Sequence, residues 1–344
     1  MSENEVKRAL VLGDGGWGTT LALQLANKGI PTVLWSAFPE QAEELRANRE
    51  NKRFLPGIAL PDNLEFSADP HAAAEGVDLL VSVVPTQFVR SVAQRFEDAL
   101  PGMLPLVTAS KGLEIETFHS PSQILKEVFG EREICVLTGP SHAEEVARGL
   151  PASIVAASTT EDFARKVQQA FSSDTFRVYT HSDPFGAELA AALKNVIAIA
   201  AGICDGLELG DNAKAALLTR GMVEMARFGV ANGAQSTTFF GLAGFGDLVT
   251  TCCSKHSRNR AVGEAIGRGK TLEQVLDGMN SVAEGVWTTR ALFGPEAAFG
   301  EVPLPIAEQV NAVLFENKDP REGVLDLMRR EIAGEMDGLG AITK

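Results

Sequence analysis

The sequence has little positive charge. It holds 31 lysine and arginine residues against 45 aspartate and glutamate residues, which gives a formal net charge of −14. Nucleic acids and anionic membrane surfaces are bound through basic faces, so we expect neither as a partner. A small anionic ligand stays compatible with this balance, because it needs only a local basic pocket.

Cysteine is also scarce. The chain contains Cys135, Cys204, Cys252 and Cys253, and none of them forms a C-x-x-C pair. This spacing fits neither a zinc site nor a disulfide framework. We therefore expect no metal site and reduced thiols, which are typical of the cytoplasm.

Long apolar runs are missing too. The most apolar segment, residues 189–203, is too short to span a bilayer and carries Lys194 and Asn195 in its middle. The first five residues, MSENE, are polar and acidic, so no secretory signal is expected. We expect a cytoplasmic protein with no stable membrane insertion.

The first half of the chain alternates short β-rich runs with helical patterns. This alternation indicates right-handed crossovers and a mainly parallel sheet. The run VDLLVSVV at 77–84 is rich in valine and leucine, as expected of a parallel strand buried on both faces. Strands are predicted at 8–12, 32–35, 77–84, 105–109, 134–137, 153–157 and 176–179, and helices at about 19–28 and 40–48.

The pattern changes near Ser182. Strand signals nearly vanish after this point, and helical periods follow at 187–203, 213–230, 271–279, 288–299 and 306–316. We therefore predict two domains, an α/β domain over residues 1–182 and an all-helical domain over residues 183–344.

A glycine loop, GDGGWG at 13–18, follows the first predicted strand and opens the first predicted helix. In that context G-x-G-x-x-G predicts a dinucleotide-binding unit. Gly13 allows the tight turn, Gly15 lets the backbone approach a pyrophosphate, and Gly18 lets the helix pack close to the strand. The helix N-terminus then offers unpaired N–H groups to the phosphates. The alternative is a tight turn that binds no ligand.

The end of the second strand leaves the choice between NAD and NADP open. An acid there bonds the ribose 2′-hydroxyl of NAD, whereas an arginine nearby accommodates the 2′-phosphate of NADP. This chain has Ser36 and Ala37 at that point, and its first acid, Glu40, comes slightly late. Asp14 would repel a pyrophosphate unless its side chain points away, and the sequence provides no account of it.

Lys194 lies in the apolar stretch ELAAALKNVIAIA at 188–200. If it is buried, its pKa falls from about 10.4 toward a range useful for proton transfer. If it lies on the solvent stripe of the helix, it is an ordinary surface lysine. The local pattern does not decide between these two interpretations.

Two further segments carry polar groups between apolar runs. GFGD at 244–247 places an acid after two glycines, and SRNR at 257–260 combines two cations with two hydrogen-bonding side chains. The planar fork of arginine suits bidentate recognition of phosphate. The alternative for SRNR is a solvated loop or the start of a helix.

With these segments together, the sequence resembles the NAD(P)-dependent sn-glycerol-3-phosphate dehydrogenase family, from the glycine loop to about Pro320. The most specific part is the lysine–asparagine helix combined with GFGDL and SRNR. The similarity is carried by GDGGWGT (13–19), NKRFLPGI (51–58), VPTQ (84–87), ASKGLE (109–114), TGPSHAEEVA (138–147), the segment 188–221, GLAGFGDLVTTC (241–252), SRNR (257–260) and VAEGV (282–286).

The resemblance implies a fold and an activity. The fold is a Rossmann-type doubly wound α/β sheet followed by an all-α domain similar to that of 6-phosphogluconate dehydrogenase. The activity is reversible hydride transfer between NAD(P)H and dihydroxyacetone phosphate, giving sn-glycerol 3-phosphate for glycerophospholipid synthesis. A homodimer is expected on the same basis.

The resemblance also implies roles for individual residues. In catalysis, Lys194 exchanges a proton with the substrate oxygen, Asp247 stands beside it, and Lys111 touches both nicotinamide and substrate. Further substrate contacts are Gly139, Ser141, Ser257, Arg258 and Asn259, the last three at the phosphate end. Cofactor contacts are Gly13, Gly15, Gly16, Trp17, Gly18, Ala37, Lys111, Ala143, Arg258, Val282 and Glu284.

Two positions depart from the family pattern, and both lie on the cofactor side. Many members carry an arginine or histidine at the position of Ala37, and a small neutral residue at that of Asp14. These departures bear on the choice of NADH or NADPH and not on the chemistry. His142 is expected to have a supporting structural role, not a catalytic one.

Two other functions compete with this interpretation. A related two-domain dehydrogenase could act on another hydroxy acid, but SRN at 257–259 predicts that non-phosphorylated analogues fail. A non-catalytic regulator could bind NADH to sense redox state, but it would have no need for Lys194, Asp247 and Arg258 together.

Overall fold

The computed structural model describes residues 5–279, 282–297, 302–331 and 334. The chain divides into two compact units. Unit 1 comprises Met1–Ser110 and Pro121–Pro184, and unit 2 comprises Lys111–Ser120 and Phe185–Lys344. The prediction had placed the whole of residues 1–182 in one domain, whereas here the short segment Lys111–Ser120 belongs with the C-terminal residues.

The described part of unit 1 contains one sheet of eight strands in the order β3-β2-β1-β4-β5-β6-β7-β8. Neighbouring strands run parallel, except for the antiparallel pair β6–β7. The predicted mainly parallel, Rossmann-type sheet is therefore confirmed. The strands are β1 (Ala9–Leu12), β2 (Thr32–Trp35), β3 (Leu64–Ser67), β4 (Leu79–Ser82), β5 (Leu106–Thr108), β6 (Ile134–Thr138), β7 (Ala152–Ala157) and β8 (Phe176–His181).

The strand order reverses at β1, which pairs with β2 on one side and β4 on the other. In open α/β sheets, ligands bind outside the carboxyl ends of the strands at such a reversal point. All four residues of β1 are buried, as a central strand covered on both faces requires. The glycine loop follows directly, so this topology puts it where a dinucleotide binds.

One strand was missed from the sequence. β3 has only four residues, with the sequence LEFS, and its Glu65 is exposed between buried Leu64 and Phe66. It pairs with β2 alone, at the edge of the sheet. A short edge strand with a charged residue has too little apolar pattern to stand out from a loop.

Helices cover the strands of unit 1. The first two agree closely with the predicted ones, and five further helices were not predicted. They are α1 (Gly16–Asn27), α2 (Pro39–Asn48), α3 (Pro70–Ala74), α4 (Val89–Gln94), α5 (Pro121–Phe129), α6 (Ala143–Ala147) and α7 (Glu161–Phe171).

Among its described residues, unit 2 contains helices and no strand, as predicted for residues 183–344. Its helices are α8 (Pro184–Gly206), α9 (Gly210–Ala231), α10 (Ser236–Phe240), α11 (Asp247–Cys253), α12 (Arg258–Gly267), α13 (Leu272–Asp277), α14 (Glu284–Leu292), α15 (Pro305–Phe315) and α16 (Pro320–Met328). The predicted helix at 288–299 begins four residues earlier and ends at Leu292, and its last two positions lie outside the described residues.

Helix α8 is longer than the predicted 187–203. It has 23 residues, and it is long and apolar enough to cross a membrane, so the expectation that this segment is too short for that was wrong. Its most apolar window is fully buried inside the protein. Apolar side chains of α9, α11, α12, α14 and α15 surround it, so α8 is the core helix of unit 2.

Helices α8 and α12 pack at backbone contact distance. A Cβ atom on Gly202 would lie 2.0 Å from the carbonyl oxygen of Arg260, and one on Gly263 would lie 1.9 Å from that of Ile199. Only glycine permits this approach. It holds the start of α12, with its SRNR segment, close to the helix that carries Lys194.

Candidate active site

The glycine loop has the geometry that its pattern predicts. Gly13 has φ = +104°, a conformation that favours glycine. A Cβ on Gly18 would lie 1.8 Å from the carbonyl oxygen of Gly13, so α1 packs against the loop only because this position has no side chain. A Cβ on Gly15 would meet nothing within 4 Å. The space over Gly15 is thus open for a ligand.

The start of α1 fits a pyrophosphate. No side chain caps this helix, whose N-cap residue is Gly15, and the N–H groups of a first turn have no partners within the helix. Such a terminus binds anions. The predicted cofactor contact Ala143 lies beside it, since its carbonyl oxygen accepts a hydrogen bond from Thr20 Oγ1 at 3.2 Å. These residues fit the dinucleotide that the sequence predicts.

The side chain of Asp14 reaches the end of β2. Its Oδ2 accepts a hydrogen bond of 2.9 Å from the hydroxyl of Ser36. Burial raises the pKa of Asp14, against the lowering effects of this hydrogen bond and of Arg53. The sequence had offered no account of Asp14, and the structure shows that its side chain joins the two strand ends.

Lys194 is buried in unit 2, which decides between the two interpretations of its helix. Its side chain is only 6% exposed, and its Nζ donates to Thr251 Oγ1 at 2.7 Å. Nζ also lies 3.2 Å from Asp247 Oδ1, while Lys111 Nζ donates to Asp247 Oδ2 at 2.8 Å. Two ammonium groups therefore share one buried carboxylate.

The pKa values of this cluster follow from burial and charge. Burial lowers the pKa of Lys194 to about 8, because desolvation and the nearby Lys111 outweigh the opposite effect of Asp247. Burial raises the pKa of Asp247, but the two lysines together lower it by more, so the net shift is downward. The sequence had left this balance undecided.

A short π-helical turn positions Asp247. The turn covers Leu242–Gly246 and leads directly into α11, of which Asp247 is the first residue. A Cβ on Gly244 would lie 2.1 Å from the carbonyl oxygen of Phe239, so this glycine is needed for the turn to close. Such turns are frequent at functional sites.

Thr251 was missed by the sequence analysis. Its hydroxyl lies between the two charged groups, because it accepts from Lys194 and donates to Asp247 Oδ1 at 3.2 Å. The signal was available: residues 247 and 251 are separated by four positions, and such residues lie on the same face of a helix.

A chain of amide hydrogen bonds supports the cluster. Asn259 Nδ2 donates to Asn195 Oδ1 at 2.8 Å, and Asn259 Oδ1 accepts from the N–H of Gly285 at 2.8 Å. Asn195 Nδ2 in turn donates to the carbonyl oxygen of Lys111 at 3.4 Å. The predicted substrate contact Asn259 thus uses its amide within the protein and ties α8, α12 and α14 together.

The other three residues of SRNR differ in whether their side chains already bond to another part of the protein. Ser257 caps α12, accepting from the N–H of Arg260 at 3.2 Å. Arg260 is held by Asp205 at 2.6 Å. Arg258 is exposed and forms no hydrogen bond or ion pair with any described residue. Arg258 is therefore the guanidinium of this segment that is available to a ligand.

The remaining predicted contacts lie in both units. In unit 1, Gly139 and Ser141 follow β6, and the Ser141 hydroxyl donates to the carbonyl oxygen of Gly139 at 2.8 Å. Trp17 packs edge-on against Phe176, with 6.2 Å between ring centroids, so its ring serves the core of the unit. The other predicted contacts lie near element ends. Ala37 comes two residues after β2, and Val282 comes two residues before α14. Glu284 begins α14 and Gly16 begins α1.

Known proteins of the predicted family match this sequence over nearly its full length. Two family models match, the NAD-dependent glycerol-3-phosphate dehydrogenase N-terminus at residues 8–164 and its C-terminus at residues 183–325. A glycerol-3-phosphate dehydrogenase (NAD(P)+) from Chlorobium phaeobacteroides (strain BS1) is 47% identical over 95% of this chain and 98% of its own. The chain belongs to the NAD-dependent glycerol-3-phosphate dehydrogenase family.

Further relatives of the family agree. The glycerol-3-phosphate dehydrogenase (NAD(P)+) from Citrifermentans bemidjiense is 48% identical over 96% of this chain and 99% of its own. The crystal structure of the Coxiella burnetii glycerol-3-phosphate dehydrogenase matches with a TM-score of 0.90 at 36% identity, covering 95% of this chain and 100% of that one. The predicted family, its two-part fold and its class, an NAD(P)-dependent oxidoreductase, are confirmed.

Proposed function

We propose that this glycerol-3-phosphate dehydrogenase interconverts dihydroxyacetone phosphate and sn-glycerol 3-phosphate, with Lys194 as the group that exchanges the proton. The observation that supports this role most strongly is a buried ammonium with a pKa of about 8, paired to Asp247 and Thr251. The product is the backbone of glycerophospholipids, and we propose that use for it.

A bound NAD(P)H supplies a hydride to the ketone carbon of the substrate. Lys194 Nζ stabilises the negative charge that develops on the ketone oxygen and then donates a proton to it. The proton is regained from solvent, so the balance of the reduction is one hydride and one proton added to the C=O bond. In the reverse direction neutral Lys194 accepts the proton from the hydroxyl group.

Asp247 and Lys111 influence whether the side chain of Lys194 is protonated. The Asp247 carboxylate favours the ammonium form of Lys194, whereas Lys111 and burial favour the neutral form. A pKa near the working pH is the condition under which a group serves as an acid in one direction and as a base in the other. Thr251 orients Lys194 through the hydrogen bond to its Nζ.

Arg258 is the proposed anchor for the substrate phosphate. It is exposed at the first position of α12, and the N-terminus of a helix favours an anion. A guanidinium fork adds bidentate hydrogen bonds to phosphate oxygens. Holding the phosphate fixes where the carbonyl group can lie, which lowers the entropic cost of the reaction.

The experiment is a substrate panel. Purified protein with NADH or NADPH should reduce dihydroxyacetone phosphate and leave dihydroxyacetone almost untouched, with sn-glycerol 3-phosphate identified by NMR. Arg258→Ala should raise KM for the phosphorylated ketone by at least tenfold, since a charge-assisted bidentate contact contributes about 1.5–3 kcal/mol. Arg268→Ala, an exposed arginine at the end of the same helix, is the control and should leave KM unchanged.

Failure to turn over the phosphorylated ketone with either cofactor would rule out this function. Turnover of a non-phosphorylated hydroxy or keto acid would favour a related two-domain dehydrogenase, and binding of NADH with no turnover would favour a redox-sensing regulator.

A homodimer in the cytoplasm completes the proposal, on the basis of family membership. The chain has a mass of 36.6 kDa, so light scattering after size exclusion distinguishes a monomer from a dimer of twice that mass.

A further inference from the structure

Asp14 is the charged residue of the glycine loop at 13–18, and the proposed function gives it no role. Its carboxylate lies at the end of β2, where it accepts the hydroxyl of Ser36 at 2.9 Å. Ser36 follows β2 directly and is fully buried. Its orientation is set, because its Oγ also accepts from the N–H of Phe38 at 3.2 Å.

The end of β2 is the place where Rossmann proteins distinguish NAD from NADP, through an acid that bonds the ribose 2′-hydroxyl. In this chain that place is taken by Ser36 and Ala37, neither of them an acid. The carboxylate of Asp14 reaches the same strand end from β1, since the N–H of Gly13 donates to the carbonyl oxygen of Trp35 at 3.1 Å. The acid is therefore supplied by the first strand instead of the second.

We propose that Asp14, held by Ser36, accepts the adenosine ribose 2′-hydroxyl and makes this chain favour NADH over NADPH. A carboxylate has about four acceptor sites, and Ser36 and the backbone N–H of Asp14 occupy two of them, so capacity remains for a second hydroxyl. Asp14 is partly exposed, so a ligand can reach it. A 2′-phosphate at the same position would bring two negative charges together.

Three other charged groups near Asp14 make the proposal testable, and one of them is Arg53, whose charge lowers the pKa of Asp14. Glu40 lies in the first turn of α2, exposed, and forms no hydrogen bond with the described residues. Arg95 lies 4.6 Å from the centre of the Trp35 ring and donates to the carbonyl oxygen of Ala37 at 3.4 Å. Glu40 is the alternative acid, and Arg95 and Arg53 are the cations that would serve a 2′-phosphate.

The test measures binding without substrate or turnover. ADP-ribose and its 2′-phosphate derivative carry the discriminating group but no nicotinamide, and their Kd values for the full chain can be measured by calorimetry. The proposal rests on the dinucleotide site of the proposed function, and a chain that reduced dihydroxyacetone phosphate equally well with both cofactors would overturn this inference alone.

The wild-type chain should bind ADP-ribose at least tenfold more tightly than the 2′-phosphate derivative. Asp14→Asn keeps an oxygen for Ser36 and removes the charge, so it should reduce that ratio at least tenfold, while Glu40→Gln leaves it within twofold. Ser36→Ala releases the carboxylate and should reduce the ratio at least threefold, which provides a second measurement if Asp14→Asn does not fold.

Three results would overturn the proposal. In the first, the wild-type chain binds both ligands equally or prefers the 2′-phosphate. In the second, Asp14→Asn folds, by its thermal unfolding curve, and leaves the ratio unchanged. In the third, Glu40→Gln, Arg95→Ala or Arg53→Ala changes the ratio as much as Asp14→Asn does.

Discussion

The glycine loop of unit 1 and the Lys194 cluster of unit 2 are both suited to negative charge, but by opposite means. The loop offers backbone N–H groups in a turn that has almost no side chains, where a Cβ on Gly18 would lie 1.8 Å from a carbonyl oxygen. The cluster uses full side-chain charges, two ammonium groups around one buried carboxylate.

This difference predicts different sensitivities. Backbone donors carry no proton that titrates, so the loop should respond to added volume and not to pH. The pKa values of buried charges depend on desolvation and on neighbouring charges. The activity of the cluster should therefore respond to pH and to the loss of a charge, whereas cofactor binding should change little.

The largest expected effect comes from Lys194→Ala. Loss of a positioned proton donor should lower kcat by about 10²- to 10⁴-fold, because the developing charge on the substrate oxygen loses its partner. The Kd for NADH, measured by fluorescence titration, should change less than twofold. Lys270→Ala, at an exposed lysine of the same unit, is the control, and near-normal turnover of Lys194→Ala would refute its role.

Two alanine substitutions in the glycine loop should separate folding from binding. Gly18→Ala forces a Cβ against the carbonyl oxygen of Gly13 and should destabilise the protein by on the order of 1–3 kcal/mol as well as abolish cofactor binding. Gly15→Ala meets no atom of the protein and has φ = −65°, so it should keep its Tm and weaken NADH binding at least tenfold. Equal Tm losses for the two variants would contradict this.

The pH dependence of kcat should follow the protonation of Lys194. Reduction of the ketone needs the ammonium form of Lys194, whose pKa is about 8, so kcat should fall about tenfold per pH unit above that value. Asp247→Asn removes the carboxylate that raises this pKa and should move the break to lower pH. Cofactor binding over the same range should stay flat, and a break that Asp247→Asn does not move would argue against the pairing.

The smallest effect concerns a buried acid outside both sites. Glu224 accepts the N–H groups of Ile306 and Ala307, each at 2.9 Å, at the start of α15. Burial raises the pKa of Glu224 to about 7, and its two hydrogen bonds oppose that rise. A raised pKa favours the folded state at low pH, so this contribution is fully present below pH 4.5 and is lost as pH rises toward 7.

Glu224→Gln should therefore flatten the stability profile between pH 5 and pH 8. The pH-dependent part of the difference from wild type is on the order of 1–3 kcal/mol in the free energy of unfolding. Urea titrations at several pH values measure it. Parallel profiles for the two proteins would show that Glu224 keeps its ordinary pKa.

The sequence predicted most strands of unit 1 and the helical character of unit 2, because secondary structure depends on local patterns. Seven of the eight strands were predicted from their apolar runs, and six of the seven pairings between neighbouring strands are parallel, as the alternation with helices indicates. The antiparallel pair β6–β7 and the edge strand β3 have no local signal of their pairing. The sequence also indicated the glycine loop, since the residue type required at each of its positions is a property of the backbone.

Burial and pairing required the tertiary structure. The helix around Lys194 allowed a surface lysine or a buried one, and only the helices packed around α8 decide for burial. Thr251 gains its role from contact with Lys194, 57 positions away in the chain. Arg258 and Arg260 are alike in sequence, but the ion pair with Asp205 occupies one and leaves the other available.

The sequence by itself thus determined the family, the change from an α/β unit to a helical one, and the glycine loop, since these follow from residue types at fixed spacing. The tertiary structure decided which charges are buried, which are paired and where Asp14 points. Those properties depend on desolvation and on distances of a few ångströms between residues far apart in the chain, and no local pattern encodes them.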